Sequence, residues 1–102
     1  MYRASDHVAN EKWIDRLGEA SDALDLDETV RTTAVDLFLS NVPDAERSKA
    51  TVAAASLYAA ALIRGEERSQ SVVADAMSVT RLSVHTHWKT VLEDAGFTPP
   101  KW

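Results

Sequence analysis

Arg81, His85 and Lys89 stand four residues apart. On a helix of 3.6 residues per turn, that spacing gathers three nitrogen-bearing side chains into one slowly drifting line. Arginine and lysine donate hydrogen bonds and carry charge at neutral pH, and imidazole joins them when protonated. The chemistry open to such a line is to hold phosphate oxygens. The same stretch carries Leu82, Ser83, Thr86, Thr90 and Glu93 in the sector opposite its apolar stripe, with Lys89 and His87 toward its edges. Small hydroxyls and methyls suit phosphate and thymine-methyl contacts. There is no Asn, Gln or central Arg for bidentate reading of a purine.

Catalysis finds little support. The chain has no Gly-rich phosphate loop, no G-x-S-x-G, no H-E-x-x-H and no carboxylate pair set among apolar residues. His85 and His87, two apart on a helix, point about 200° from each other and cannot share one substrate atom. No cysteine is present, which excludes disulfides, thiolate metal sites and cysteine nucleophiles; the histidines lie at 7, 85 and 87, and no carboxylate falls at a usual ligand spacing from the latter pair. The expectation is a binding protein with no enzyme activity, cofactor or metal.

The elements that must position these residues follow from helical periodicity. Ser69 caps a short helix over 70–77 bearing Val72, Val73, Ala76 and Met77, and Met77 to Val79 makes a tight turn. Thr80 then caps a longer helix over 80–94 whose Val84, Trp88, Val91 and Ala95 share a core-facing sector. A short helix, a tight turn and a second helix form the helix-turn-helix pattern, whose second helix enters a DNA major groove.

Upstream, the run SKATVAAASLYAAALIR from Ser48 to Arg64 carries seven alanines and is apolar on nearly every side, so it reads as a central helix over 48–64. Ser48 is its expected N-cap and Gly65 its stop, with Tyr58 and Leu62 expected to hold the helix-turn-helix. Two helices precede it, over 7–24 and 28–41. The first is capped at Asp6 or Asn10 and buries Trp13, Ile14, Leu17, Ser21 and Leu24, with Gly18 allowing a close helix crossing. Its charged positions, Glu11, Lys12, Asp15, Arg16, Glu19 and Asp22, read as a solvated face. The second begins at Asp27, whose carboxylate is expected to accept from the first turn; it buries Val30, Ala34, Leu37 and Phe38 and ends before Pro43. The segment 97–102 is expected to be an extended tail, with Trp102 folding back onto the core or meeting another chain.

The chain's 102 residues and 45% hydrophobic content fit one domain over 1–102. No run reaches the length of about 20 apolar residues that spans a bilayer, and the N-terminus lacks a signal-peptide core, so a soluble cytoplasmic protein with no membrane partner is expected. The net charge of −5 is unevenly spread: residues 1–47 hold five Lys/Arg against eleven Asp/Glu, and residues 48–102 hold six against five. The acid is therefore concentrated in the first half of the chain. Few lysines and abundant aspartate also suit solubility in concentrated salt, a hint of a halophilic source.

The order of these pieces resembles the cyclin-like repeat of the transcription factor B and IIB family, most of all the second repeat as archaea carry it, here as a single copy. WIDRL matches the start of its first helix, RSKATVAAASLYAAAL its central helix, and GEERSQSVVADAMSVT the approach to its last. The resemblance spans roughly residues 10–96. It implies an all-α, five-helix cyclin-like domain ending in a helix-turn-helix. It also implies action in transcription on double-stranded promoter DNA, beside TATA-binding protein or RNA polymerase. Residue by residue, it places Ser69 and Gln70 at the support helix start and Arg81 and Ser83 in the first turn of the recognition helix. His85, Thr86 and His87 fall where the family commonly has Arg, Asn and Arg, Trp88 replaces a Tyr, and Ser78 replaces a turn Gly or Asn. These departures weaken base reading. The competing expectation is a cyclin-like adaptor docking on the transcription machinery without base-specific contact, its acidic first two helices meeting a basic partner.

Overall fold

Nine consecutive residues, Ala53 to Ala61, are buried, and six of them are alanines. A helix enclosed on every side must carry small side chains if its neighbours are to approach closely, and this one supplies them. The computed structural model describes residues 10–96 and contains, in that span, five helices and no strand. They are α1 (Glu11–Ala23), α2 (Glu28–Ser40), α3 (Glu46–Ile63), α4 (Gln70–Met77) and α5 (Arg81–Asp94). The enclosed stretch belongs to α3, which packs against all four others and most extensively against α5 and α2. The all-α, cyclin-like expectation is met. The parts of the expected first helix and tail that fall at residues 7–9 and 97–102 lie outside the described residues.

The expected core stripes are buried: Trp13, Ile14, Leu17 and Ser21 on α1, and Val30, Ala34, Leu37 and Phe38 on α2. Leu24 is only partly buried. The buried hydroxyls turn back on their own helices, Ser21 Oγ donating to Leu17 O at 2.8 Å and Ser56 Oγ to Val52 O at 2.7 Å. Each would otherwise leave a costly unsatisfied donor in the core.

Several local expectations need correction. The central helix begins at Glu46, with Ala45 as N-cap, so Ser48 lies inside its first turn and its N–H donates to Ala45 O. Glu46 rather than a capping hydroxyl meets the helix's positive end. Asp27 does precede α2, but its carboxylate accepts from the Thr29 hydroxyl at 2.9 Å instead of a first-turn N–H, and its own N–H donates to Glu66 Oε1 at 3.1 Å. Asn10 precedes α1 without a side-chain cap bond. Gly18 is buried beneath the Arg31 side chain, whose Nε lies 3.0 Å from where a β-carbon would sit, so the close approach is to a guanidinium and not to another helix backbone. Arg16 is half-buried and turned from the solvated face: its Nη2 donates to Met77 O at 3.1 Å and its guanidinium lies 5.6 Å from the Trp13 ring centroid.

Helix ends repeat one device. α3 stops at Arg64, after which Gly65 adopts φ 74° and the N–H of Glu66 closes on Ala61 O at 2.9 Å, as Gly65 led one to expect. α1 stops in the same way with Asp25 at φ 56° and Leu26 N–H on Ser21 O. The aspartate pays a left-handed cost that glycine would not, and Arg68 clamps the turn, Nε donating to Leu24 O at 3.2 Å and Nη2 to Asp25 O at 3.3 Å.

At the start of α3, Lys49 bonds the Glu46 carboxylate at 3.1 Å, the Trp13 indole N–H donates to it at 3.3 Å and Lys12 lies 3.8 Å away. The Lys49 hydrogen bond first, then the indole and the neighbouring charges, hold this carboxyl below the ordinary glutamate range. A lowered folded-state value adds stability that is complete above the ordinary range and lost as pH falls through the lowered one. Acid denaturation followed by circular dichroism should therefore show a shallower acid limb in Glu46→Gln than in the wild type. Replacing a fully enclosed alanine, as in Ala59→Leu, should cost about 1–3 kcal/mol by overpacking, measured by urea unfolding.

Candidate nucleic-acid interface

α4 and α5, Gln70–Met77 and Arg81–Asp94, both carry working caps, and α5 starts one residue after the expected position because Thr80 caps it from outside. Ser69 Oγ accepts from Val72 N–H at 3.2 Å, and Thr80 Oγ1 accepts from Ser83 N–H at 3.1 Å. Between them Ser78 takes the left-handed conformation at φ 58°, ψ 41°, with its own N–H on Asp75 O and Val79 N–H on Ala74 O. A serine there carries a cost of about 1–2 kcal/mol that glycine avoids.

The pair is seated by its apolar faces. Val73, Ala74 and Met77 of α4 and Val84, Trp88 and Val91 of α5 are buried. Leu92 is buried beside them, at a position the narrow stripe Val84, Trp88, Val91 and Ala95 had left out. Tyr58 of α3 meets Trp88 edge-to-face, ring centroids 5.5 Å apart at 72°, so the expected anchoring of α5 by Tyr58 is met. Leu62 packs against the core as a partly buried neighbour.

The outward sides carry the candidate residues. Ser69, Arg81, His85, Thr86, His87 and Lys89 are exposed, and Gln70 and Ser83 are half-buried. Arg81 and His85 make no ion pair or hydrogen bond among the described residues, so their donors are available to a ligand. Lys89 rests its ammonium 5.5 Å from the Trp88 ring. The other polar groups are partly committed. The Ser83 hydroxyl lies 2.8 Å from Thr80 Oγ1 within the cap. His87 Nδ1 lies 2.8 Å from Ser83 O, and because a carbonyl only accepts, Nδ1 must carry the proton. Neutral His87 thus presents an acceptor outward, and not the donor that a phosphate requires. Gln70 Oε1 is buried without a hydrogen-bond partner, so only part of that amide faces outward.

Leu82, 69% exposed in the first turn of α5, is the most exposed of the large apolar side chains described. It lies in the outward sector of the helical wheel, but a search confined to hydrogen-bonding residues passes over it. A cleft of about 430 Å³ lined by Asn10, Leu39, Ser40, Val42, Pro43, Asp44 and Lys49 contains none of the candidate residues. Among the described residues no group of three His, Asp or Glu is placed to hold a metal, and no helix is long and apolar enough to cross a membrane.

Comparison with known proteins agrees with this architecture. Residues 4–94 match the transcription factor TFIIB repeat. Transcription initiation factor IIB of Pyrococcus abyssi is 33% identical over 89 residues, covering 84% of this chain and 30% of that protein. Transcription initiation factor IIB 1 of Thermococcus kodakarensis is 32% identical over 89 residues with the same coverage. Transcription initiation factor IIB of Pyrococcus furiosus is 33% identical over 82 residues, 78% of this chain and 27% of that protein. The chain thus spans about 30% of the length of the relatives it matches.

Two substitutions test the local geometry. Ser78→Gly should stabilise the fold by about 0.5–1 kcal/mol by relieving the left-handed serine, and Thr80→Ala should destabilise it by about 1 kcal/mol by removing the cap of α5. Both are read by urea denaturation.

Proposed function

The chain belongs to the transcription factor TFIIB repeat family, and from that premise we propose that it acts in transcription initiation by docking α5 against double-stranded promoter DNA. The observation that carries the proposal is the outward side of α5: Arg81 and His85 are exposed and uncommitted at a spacing of four, and Lys89 continues their line. Cations held on a rigid helix neutralise phosphates and release counterions, which supplies most of a DNA affinity. The exposed N-terminus of α4 behind Ser69 and Gln70 offers backbone N–H groups for a further phosphate. Thr86 and Ser83 lie between the cations.

Base reading is the weaker part of the interaction. Histidines occupy positions where the wider family commonly has arginine, and His87 spends its donor on Ser83 O. The expected selectivity therefore rests on few contacts, with His85 and Thr86 the polar candidates.

The second reading is an adaptor that docks on TATA-binding protein or RNA polymerase without base-specific contact. It is favoured by the same withdrawn His87 donor and by the exposed carboxylates of Glu11, Asp15, Glu19 and Asp22 along α1. Neither role requires catalysis. Fluorescence anisotropy over a promoter library separates them. With Arg81→Ala/Lys89→Ala, the log–log slope of affinity against salt should fall by about two and affinity should drop on every duplex. An unchanged affinity, with binding to TATA-binding protein or polymerase retained, would point to the adaptor.

A further inference from the structure

We propose that Arg16 is a positioning residue for the recognition helix, fixing the turn between α4 and α5 through the Met77 carbonyl; the inference rests on the reading that α5 meets duplex DNA. Arg16 Nη2 donates to Met77 O at 3.1 Å across a sequence separation of 61 residues. Met77 is the last residue of α4, and Ser78 after it holds the left-handed conformation that redirects the chain into α5. The N–H groups of Ser78 and Val79 close on Asp75 O and Ala74 O, and no backbone N–H among the described residues reaches Met77 O. A guanidinium at this carbonyl both satisfies it and complements the negative end of α4.

The guanidinium is itself fixed. The Trp13 ring lies 5.6 Å from it, Trp13 is 7% exposed, and the indole N–H is bonded to Glu46 at the start of α3. A continuous line therefore runs from Glu46 through Trp13 and Arg16 to the turn. Among the described residues, the other non-glycine residue with positive φ, Asp25, is held in the same way by Arg68 on the Leu24 and Asp25 carbonyls. In both places an arginine from a distant segment secures a turn that glycine would make unaided.

This contact bears on recognition because the dihedral angles of Ser78 set the angle at which α5 leaves α4. Base-edge contacts need accurate placement, while long cationic side chains reach phosphates from many placements. Loosening the turn should therefore weaken a preferred site more than an arbitrary one.

The test compares the wild type, Arg16→Met, Ser78→Gly and the double variant at temperatures well below unfolding, on the wild type's selected duplex and on a scrambled duplex over a range of salt. Arg16→Met keeps the aliphatic stem and removes the donor. It should lower affinity for the selected duplex about tenfold, leave the scrambled duplex and the salt slope unchanged, and be largely rescued by Ser78→Gly, which makes the turn without a clamp. Equal loss on both duplexes with a salt slope lower by about one and no rescue would assign Arg16 to a direct phosphate contact and overturn the proposal. Unchanged affinity would overturn it as well. Amide hydrogen exchange at Ser78 and Val79 in the DNA-free protein separates the two layers: it should quicken in Arg16→Met, and unaltered exchange refutes the clamp whatever the DNA result. A wild type that binds no duplex at all overturns the DNA reading and the positioning role with it.

Discussion

The fold depends on how closely four helices can approach α3. Its buried stretch from Ala53 to Ala61 presents a thin rod on all sides, and only Leu57 and Tyr58 reach far from it. Leu57 is fully enclosed, and Tyr58 sets the position of α5 by meeting Trp88 edge-to-face. With only alanines and Ser56 elsewhere, the larger residues of the surrounding helices, Phe38, Leu17, Met77 and Leu92, fill the layer around the rod. That arrangement fixes one face of α5 and leaves the other to solvent, where Arg81, His85, Thr86 and Lys89 stand. The candidate interface is thus what remains of α5 once its packing against α3 and α4 is satisfied.

Turns show a second economy. Gly65 closes α3 without a side-chain penalty, whereas Asp25 and Ser78 adopt the left-handed region as ordinary L-residues. Each of those two turns is answered by a guanidinium on its carbonyls, Arg68 for the first and Arg16 for the second. Charge-assisted bonds to backbone oxygens are stronger than neutral ones, which suits them to offsetting local strain. Two arginines that would otherwise count toward a basic surface are in this way used up by the scaffold.

The parts of the structure legible in the sequence are those with local signals. α4 and α5 follow from Ser69 and Thr80, whose hydroxyls accept the N–H bonds their positions suggested. The burial of Trp13, Leu17, Leu37 and Phe38 follows from spacing alone. What was not legible is whatever depends on a distant partner. Arg16 has the flanking residues of a solvated face, and only the fold brings Met77 O to it. The start of α3 at Glu46 depends on Lys49, Trp13 and Lys12 gathering round one carboxylate, two of them from α1, so Ser48 looked the better cap. Gly18 looked like a helix crossing because a sequence does not reveal that Arg31 will lie across it. For the candidate site, positions along α5 were readable from the wheel, but the turning of His87 onto Ser83 O and the sharing of the Ser83 hydroxyl with Thr80 were not. Both subtract donors from a surface that residue types alone made look richer.

The contact between Arg16 and Met77 joins α1 to the end of α4, 61 residues apart in sequence. Closing so long a loop carries an entropic cost that nothing local repays, so the contact depends on the docking of α1 beside α3. The turn between α4 and α5 is held by a restraint that only the complete fold supplies. A fragment containing α4 and α5 alone would keep both caps and lose the clamp. The geometry of α4 and α5 is therefore tied to the first helix, although forty-six residues of sequence lie between the end of α1 and the start of α4.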